Sequence, residues 1–334
     1  MDDAQQPVVN VSGASKSFGD HKAVEDLDMT IHPGRITVLL GPNGAGKTTA
    51  IRMITGAFAP DSGNISVFGL NPAEHGEQVR IRCGVVSANP ALYERLTGWD
   101  NLVYSAKLYG VNNKTNPDWK QTLTEAAQRF GIDHALDQMV GGYSTGMKTR
   151  LALARSILHQ PEFLLFDEPT SGLDPESARE VLNLIREMTN LGTSILMCTH
   201  HLVEAEGLAD EIVMLEAGRS LLSGNPDEIS NDYWPDHKIE VTVGNAADTS
   251  KVVDAPGVVG AVKTGTKLTL TLVDHEVTPS VIEHLVKLGV QIKSVTPIVP
   301  SLEDLYFEAR KRQKDGVQRG SAISNEATEL AGSQ

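Results

Sequence analysis

The sequence predicts an α/β fold in which a buried parallel sheet carries functional residues at the carboxyl ends of its strands. Ile36–Leu40 is a short apolar run that ends at a glycine, and a helical pattern follows over Thr49–Ile54. A second apolar run, Phe163–Phe166, leads directly into Asp167 and Glu168. Short runs that are apolar throughout are typical of parallel strands buried on both faces. We therefore expect a core of alternating strands and helices.

The segment between the first strand and its helix fits the phosphate-loop pattern G-x-x-x-x-G-K-[ST]. Glycines let backbone N–H groups turn toward phosphate oxygens, and the helix N-terminus adds partial positive charge. Lys47 can reach the β- and γ-phosphates, and the Thr48 hydroxyl can ligate Mg²⁺. The alternative, a glycine-rich turn beside an exposed lysine, is disfavoured by the complete order of strand, loop and helix. The predicted nucleotide-binding residues here are Gly41, Pro42, Asn43, Gly44, Ala45, Gly46, Lys47, Thr48 and Thr49.

Length and composition predict a soluble globular protein with room for two domains. The chain has 334 residues, of which 40% are hydrophobic and 22% charged. Its longest apolar runs fall well short of the roughly 18 residues that a membrane helix needs. The acidic start lacks the pattern of a signal peptide, and the net charge of −14 argues against general nucleic-acid affinity. These features favour a cytoplasmic nucleotide-hydrolysing enzyme.

Two carboxylates, Asp167 and Glu168, follow the second buried strand. In phosphate-loop enzymes an aspartate at this place holds Mg²⁺, and the next glutamate can polarise the attacking water. The alternative is an exposed acidic pair that begins a turn, as Pro169 suggests. The choice between the two depends on the flanking segments.

Three segments that flank the two carboxylates occur in an order that indicates their function. Tyr143–Arg150 precedes the carboxylates and leads into a helical pattern, and Ser171–Asp174 follows them. The pair Thr199–His200 comes after a further buried strand, Ser194–Cys198. Over about residues 7 to 230, this order resembles that of the ATP-binding cassette (ABC) ATPases.

The resemblance implies a role for each of these segments. Tyr143–Met147 is similar to the family signature, usually LSGGQ, in which Ser144 and Gly146 would contact ATP held by a second subunit. Asp167 matches the Mg²⁺-binding aspartate, and Glu168 matches the catalytic glutamate. We expect the residues that begin the signature helix, and the carboxylates that follow the second buried strand, to act near the phosphate oxygens.

The remaining site residues also follow from the resemblance. Asp174 belongs to the loop that bridges the two nucleotide sites, His200 matches the switch histidine that contacts the γ-phosphate, and Lys47 completes the catalytic set. Phe18 stands where the family places an aromatic ring that stacks on adenine. Its alternative is a core phenylalanine in an N-terminal antiparallel sheet.

One position departs from the family pattern. Alignment of Gly84–Thr97 places Ala88 where the family has a glutamine. An alanine side chain can neither ligate Mg²⁺ nor orient water. Asn89 is the alternative source of an amide, with a different side-chain direction.

The predicted organisation has three parts. Residues 1–232 form the ABC ATP-binding domain, with an N-terminal antiparallel β-subdomain and a helical signature subdomain at about 89–160. Asn231–Asp236 is predicted to be a linker. Residues 236–312 form a small α+β accessory domain, for which the order β-α-β-β-α-β suggests a ferredoxin-like fold. Its final helix is predicted to begin after Ser301 with a capping box to Asp304. Residues 313–334 are predicted to be disordered.

The implied function is that of the ATP-binding and hydrolysing subunit of an ABC exporter, with ATP and Mg²⁺ as cofactors. The implied partners are a separate transmembrane permease and a second copy of the chain in a head-to-tail nucleotide-sandwich dimer; nucleic acid is not expected. The implied location is the cytoplasmic face of the cell membrane. Tyr93, Leu96 and Trp99 are candidates for the permease-binding surface, with burial in the subdomain core as their alternative.

Two other functions stay open at this level. A soluble ABC ATPase acting on ribosomes or DNA is disfavoured by the single cassette, the lack of a heptad run and the acidic balance. A regulatory cassette that binds ATP but scarcely hydrolyses it is suggested only by Ala88.

Overall fold

The computed structural model describes residues 6–234, 236–244 and 252–312. Contacts divide this part of the chain into two units, residues 6–225 and Pro226–Lys311. Residues 226–233 form a helix, which crosses the predicted domain end at 232 and the start of the predicted linker, 231–236. The predicted disordered tail, 313–334, lies outside the described residues.

The first unit combines strands and helices. Its strands are β1 (Val9–Phe18), β2 (His21–Ile31), β3 (Ile36–Leu40), β4 (Ser62–Val67), β5 (Cys83–Val86), β6 (Phe163–Asp167), β7 (Ser194–Thr199), β8 (Glu211–Glu216) and β9 (Arg219–Gly224). Its helices are α1 (Lys47–Ile54), α2 (Pro72–Arg80), α3 (Gly98–Leu108), α4 (Trp119–Arg129), α5 (Thr145–Ser156), α6 (Pro175–Thr189) and α7 (Leu202–Glu206).

The central sheet has the strand order β5-β6-β7-β3-β8-β9. Every pair is parallel except β8 and β9, which are antiparallel. Strands β3, β6 and β7 are buried along their whole length, as their continuous apolar sequences predict. Because these strands run in one direction, their carboxyl ends meet at one edge of the sheet. The predicted phosphate loop, carboxylate pair and histidine therefore share that edge.

A second sheet, with the order β2-β1-β4, is antiparallel throughout. Its buried face shares one apolar core with α1 and the central sheet, and that core includes Val11, Leu27, Ile54 and Leu165. The predicted antiparallel subdomain and the α/β core are both confirmed.

Helices α3, α4 and α5 follow β5 and lie inside the interval predicted to form the helical subdomain. Thr97 caps α3 by accepting a hydrogen bond from the N–H of Asp100 at 3.1 Å. Buried Tyr143 donates its hydroxyl to the carbonyl oxygen of Ala135 at 2.6 Å. This bond anchors the residue that precedes Ser144, the N-cap of the signature helix α5.

The second unit combines a four-stranded sheet with helices. Its elements are α8 (Pro226–Tyr233), β10 (His237–Val243), β11 (Val258–Thr264), β12 (Lys267–Leu272), α9 (Thr278–Lys287), β13 (Ile292–Ile298) and α10 (302–312). The strand order is β11-β12-β10-β13, and all pairs are antiparallel. Strand β12 therefore separates β10 from β11, which run in the same direction, as in a split β-α-β arrangement.

Two local predictions for the second unit can be compared with its structure. The first predicted helix is a 3₁₀ turn, Val252–Asp254, among the described residues. At the start of α10, Ser301 Oγ accepts from the Asp304 N–H at 3.1 Å, and Asp304 Oδ2 accepts from the Ser301 N–H at 2.9 Å. These reciprocal bonds confirm the predicted capping box.

Candidate nucleotide-binding and hydrolysis site

The phosphate loop connects β3 to α1 and needs glycine for a steric reason. Gly46 has a φ of +105°, and a Cβ at this position would lie 2.3 Å from the carbonyl oxygen of Ala23. The Lys47 side chain is 6% exposed. Its Nζ donates to the carbonyl oxygens of Gly41 at 2.6 Å and Pro42 at 3.3 Å. The ammonium group is thus held against the loop that would receive the phosphates.

A hydroxyl and a carboxylate meet beside this loop. Thr48 Oγ1 donates to Asp167 Oδ2 at 2.8 Å. Burial raises the pKa of Asp167 above its ordinary value, against the opposing effect of the Thr48 hydrogen bond. Oxygen ligands of this kind suit Mg²⁺, and a bound cation would offset the cost of burying the charge.

The donor set therefore fits the predicted metal role of Thr48 and Asp167. Among the described residues, no group of three or more His, Cys, Asp or Glu side chains could hold a metal ion by itself. Phosphate and water oxygens would have to complete the coordination shell, which is usual for Mg²⁺ in nucleotide sites.

Glu168 connects the phosphate loop to the end of β7. Its Oε1 lies 3.2 Å from Lys47 Nζ, and its Oε2 lies 2.8 Å from His200 Nδ1. Its backbone has a left-handed φ of +53°, and its N–H donates to the carbonyl oxygen of Cys198 at 2.9 Å. A non-glycine residue in this conformation is strained, and such strain is concentrated at functional sites. Glu168 thus contacts both of the other predicted catalytic side chains, Lys47 and His200.

A cavity of about 310 Å³ opens over this arrangement. Phe18 lines it and is 45% exposed, so the alternative of a core residue does not hold. The Phe18 ring packs edge-to-face on Phe58, with centroids 5.3 Å apart. The contact with Phe58 holds the Phe18 ring in place, and the exposed part of that ring remains accessible to a base.

Two residues of the cavity wall were missed by the sequence analysis. His21 and Ala23 line the cavity. His21 pairs with Phe18 across the turn between β1 and β2. The signal that could have found His21 is this short turn, which places the two side chains next to each other. The carbonyl oxygen of Ala23 lies against Gly46, a backbone contact that no side-chain motif could reveal.

Ser144, Gly146 and Asp174 line a different surface and are absent from the wall of this cavity. Ser144 Oγ caps α5, accepting from the N–H of Met147 at 3.2 Å. Asp174 caps α6, and its hydrogen bonds with Ser177 lower its pKa.

The N-termini of α5 and α6 are neighbours. A Cβ at Gly146 would lie 3.8 Å from Ser177 Oγ and 3.9 Å from Leu173 Cδ2. We refer to Ser144, Gly146 and Asp174 together as the α5–α6 surface.

Ala88 lines the cavity, and Asn89 does not. The Asn89 carbonyl oxygen accepts from Ser87 Oγ at 2.8 Å. A methyl group therefore occupies the side of the cavity where the family pattern places an amide.

Comparison with known proteins agrees with this geometry. The family model described as ABC transporter matches residues 24–171, and a model described as the C-terminal domain of DrrA1-3-like ATP-binding proteins matches residues 224–309. The daunorubicin resistance ATP-binding protein DrrA3 of Streptomyces coeruleorubidus is 34% identical over 90% of this chain and 94% of its own length.

Further relatives and solved structures agree. The bacitracin transport ATP-binding protein BcrA of Bacillus licheniformis is 34% identical over 74% of this chain and 77% of its own length. A solved ATP-binding subunit of an ABC transporter superposes with a TM-score of 0.62 at 30% identity, covering 68% of this chain and 93% of that structure.

Within the described residues, no helix combines the length and the apolar character needed to cross a bilayer. Family members of this kind act with a membrane component. From the phosphate loop, the carboxylate pair and relatives aligned over nearly the whole length, the chain belongs to the ATP-binding subunits of ABC transporters and is an ATPase.

Proposed function

We propose that the chain hydrolyses Mg²⁺-bound ATP in the cavity and thereby powers export through a separate permease. The observation that carries the hydrolytic part is the contact of one carboxylate, Glu168, with both Lys47 and His200. The export part is supported by the relatives named for drug resistance and bacitracin transport, together with the match of the C-terminal domain.

The ion pair between Lys47 and Glu168 gives a physical basis for switching on hydrolysis. Lys47 Nζ lies 3.2 Å from Glu168 Oε1 and can neutralise its charge. A triphosphate in the loop offers Lys47 more negative charge, and Glu168 Oε1 then becomes available to accept a proton from water. His200, at 2.8 Å from the other oxygen, orients the carboxylate and can donate toward the γ-phosphate.

The other site residues bind and orient. The N–H groups of Gly41–Thr49 would surround the phosphates, and the exposed part of Phe18 would stack on adenine. Thr48 and Asp167 would hold Mg²⁺, whose charge would neutralise phosphate oxygens.

Glu168→Gln tests the hydrolytic proposal, because the amide keeps the shape of the carboxylate but cannot take the proton. We expect kcat to fall by about two to four decades while ATP affinity stays unchanged. Steady-state turnover and equilibrium nucleotide binding measure the two quantities. Glu187→Gln, an exposed position on α6, is the control. Normal turnover of Glu168→Gln would place the base elsewhere.

We also propose that two copies close head-to-tail on two nucleotides. Ser144 and Asp174 are both exposed, and neither lines the cavity of its own chain. The N-terminus of α5 is a ready site for anionic oxygens. A second copy could therefore bring its α5–α6 surface over the ATP held by the first.

The permease-binding surface is proposed to include aromatic residues of the helical subdomain. Tyr93 and Tyr104 are 48% and 49% exposed, and their ring centroids are 4.9 Å apart. Leu96 is also exposed, whereas Trp99 is half-buried. An exposed aromatic cluster next to the strand that ends near Ala88 is suited to gripping a membrane partner.

Reconstitution tests the export proposal. The chain, combined in proteoliposomes with its candidate permease, should show faster ATP turnover and should sediment with the vesicles. Tyr93→Ala should weaken both effects and leave the turnover of the chain alone unchanged. Equal turnover with and without the membrane protein, together with a failure to sediment, would contradict this partnership.

A further inference from the structure

We infer that Glu204 is a positioning residue that keeps Glu168 and His200 in their productive arrangement; this inference rests on the proposed roles of those two side chains. Glu204 lies on α7 and does not line the cavity. Its carboxylate accepts hydrogen bonds from two threonine hydroxyls, Thr170 and Thr199. We call these three residues the Glu204 bridge.

The bridge joins the ends of the two strands that carry the catalytic pair. Thr199 is the last residue of β7 and directly precedes His200. Thr170 follows Glu168 by two residues in the loop after β6. One carboxylate therefore ties together the backbone segments that determine where Glu168 and His200 stand.

The distances show how tightly the bridge is made. Thr170 Oγ1 lies 2.9 Å from Oε1 and 2.8 Å from Oε2 of Glu204. Thr199 Oγ1 lies 3.1 Å from Oε2. Hydrogen bonds to an ionised carboxylate are stronger than those between neutral groups.

Because the two threonine hydroxyls are buried, they depend on Glu204 as their hydrogen-bond acceptor. Thr170 is 4% exposed and Thr199 is fully buried, so their hydroxyls have little access to water. The Thr199 hydroxyl also accepts from the His201 N–H at 3.0 Å. With one donor and one acceptor engaged, its orientation is determined. Loss of the carboxylate would leave two buried donors without their acceptor, which the loops could relieve only by moving.

The strained backbone of Glu168 supplies the reason for such an attachment. Its left-handed φ of +53° must be maintained by the surrounding structure. The Cys198 carbonyl holds its N–H, and the Ser171 N–H donates to its carbonyl oxygen at 3.1 Å. The Glu204 bridge adds the side-chain contact that attaches this loop to the end of β7.

Glu204→Ala should lower kcat by about 10- to 100-fold, because a displacement of about 1 Å at a reacting group can cost that much. The KM for ATP should change by less than about two-fold, since the bridge does not touch the cavity wall. Val203→Ala, at an 81% exposed position on the same helix, is the control and should change turnover by less than about two-fold. An unchanged kcat in Glu204→Ala, or a loss confined to KM, would overturn the inference.

Glu204→Gln provides rescue by a conservative change. Both threonine hydroxyls lie within hydrogen-bond distance of Oε2, so an amide oxygen at that place can accept from both. We expect kcat within about three-fold of the unmodified chain. Thr199→Ser should behave likewise because it keeps the hydroxyl, whereas Thr199→Val should resemble Glu204→Ala. Equal losses in Thr199→Ser and Thr199→Val would contradict the bridge.

A double-mutant cycle separates positioning from general destabilisation. If Glu204 acts through the catalytic pair, Glu204→Ala should have little further effect on single-turnover hydrolysis in a Glu168→Gln background. A full multiplicative loss there would overturn the inference. Normal turnover of Glu168→Gln alone would instead refute the proposed catalytic role, so the two failures are distinguishable.

Discussion

In the nucleotide cavity, Lys47 and Glu168 have little exposure and pair with each other, whereas on the α5–α6 surface Ser144 and Asp174 are exposed and cap helices. Lys47, Glu168 and His200 form a continuous chain of contacts inside one subunit. Ser144 and Asp174 satisfy only the first turns of α5 and α6 and contact none of those three. The difference is consistent with the proposed arrangement, in which the cavity of one chain holds ATP and the α5–α6 surface of a second copy completes the site.

Mixing two inactive variants should give the largest effect on this comparison. Lys47→Ala disables the cavity, and Ser144→Arg disables the α5–α6 surface, so each alone should lose at least about 100-fold in turnover. A mixed dimer would contain one composite site free of both changes, and part of the activity should return in the mixture. No recovery in demonstrated mixed dimers would argue that the surface does not act on a neighbouring cavity.

Phe18→Ala sharpens the comparison within the cavity. Stacking of a base on an aromatic ring is worth about 1–3 kcal/mol, so the KM for ATP should rise by about 5- to 150-fold with little change in kcat. Phe18→Tyr keeps the π-face and serves as the control. Equal nucleotide affinity in all three proteins would remove Phe18 from the binding site.

Asp167→Asn tests whether the buried charge of Asp167 destabilises the folded chain. Because burial raises the pKa of Asp167, the ionised side chain destabilises the folded state at pH values above that raised pKa. Below the ordinary pKa of an aspartate, the side chain is protonated in both the folded and the unfolded chain, so the effect disappears. The amide should therefore raise the free energy of unfolding without nucleotide at neutral pH, by about 0.5–2 kcal/mol. The gain should shrink as the pH falls toward 4, as followed by denaturant titration. A gain independent of pH would contradict the electrostatic cause.

Ala88→Gln should give the smallest effect and concerns the edge of the cavity. Restoring an amide that can orient water should raise kcat several-fold and leave ATP affinity unchanged, because phosphoryl transfer depends on positioning. Asn89→Ala is the counterpart. If the first variant gains nothing and the second loses activity, Asn89 supplies the amide and the alignment of this loop shifts by one residue.

The central sheet and the phosphate loop were predictable because their signals are local. Three patterns predict this structure, and each is complete within a few residues: the apolar run of β3, the glycines after it and the carboxylates at the end of β6. Glu204 could not be found this way, because Thr170, which it contacts, follows a different strand and comes close only in the folded sheet.

The start of the second unit was mispredicted for a local reason. The segment around Asn231–Asp236 suggested a linker, yet a helix begins at Pro226 and has Asp227 and Glu228 in its first turn. Proline at the first helical position and early acidic residues are favourable starting signals. A polar sequence over 231–233 concealed the end of that helix.

The position of β3 has a consequence for synthesis of the protein. This strand ends at Leu40, but its two neighbours in the sheet, β7 and β8, begin only at Ser194 and Glu211. During translation this apolar, fully buried strand therefore leaves the ribosome about 10–30 s before either neighbour, at typical elongation rates. Until then its edges are unpaired, which exposes the nascent chain to aggregation and makes chaperone binding to the region around Ile36–Leu40 advantageous.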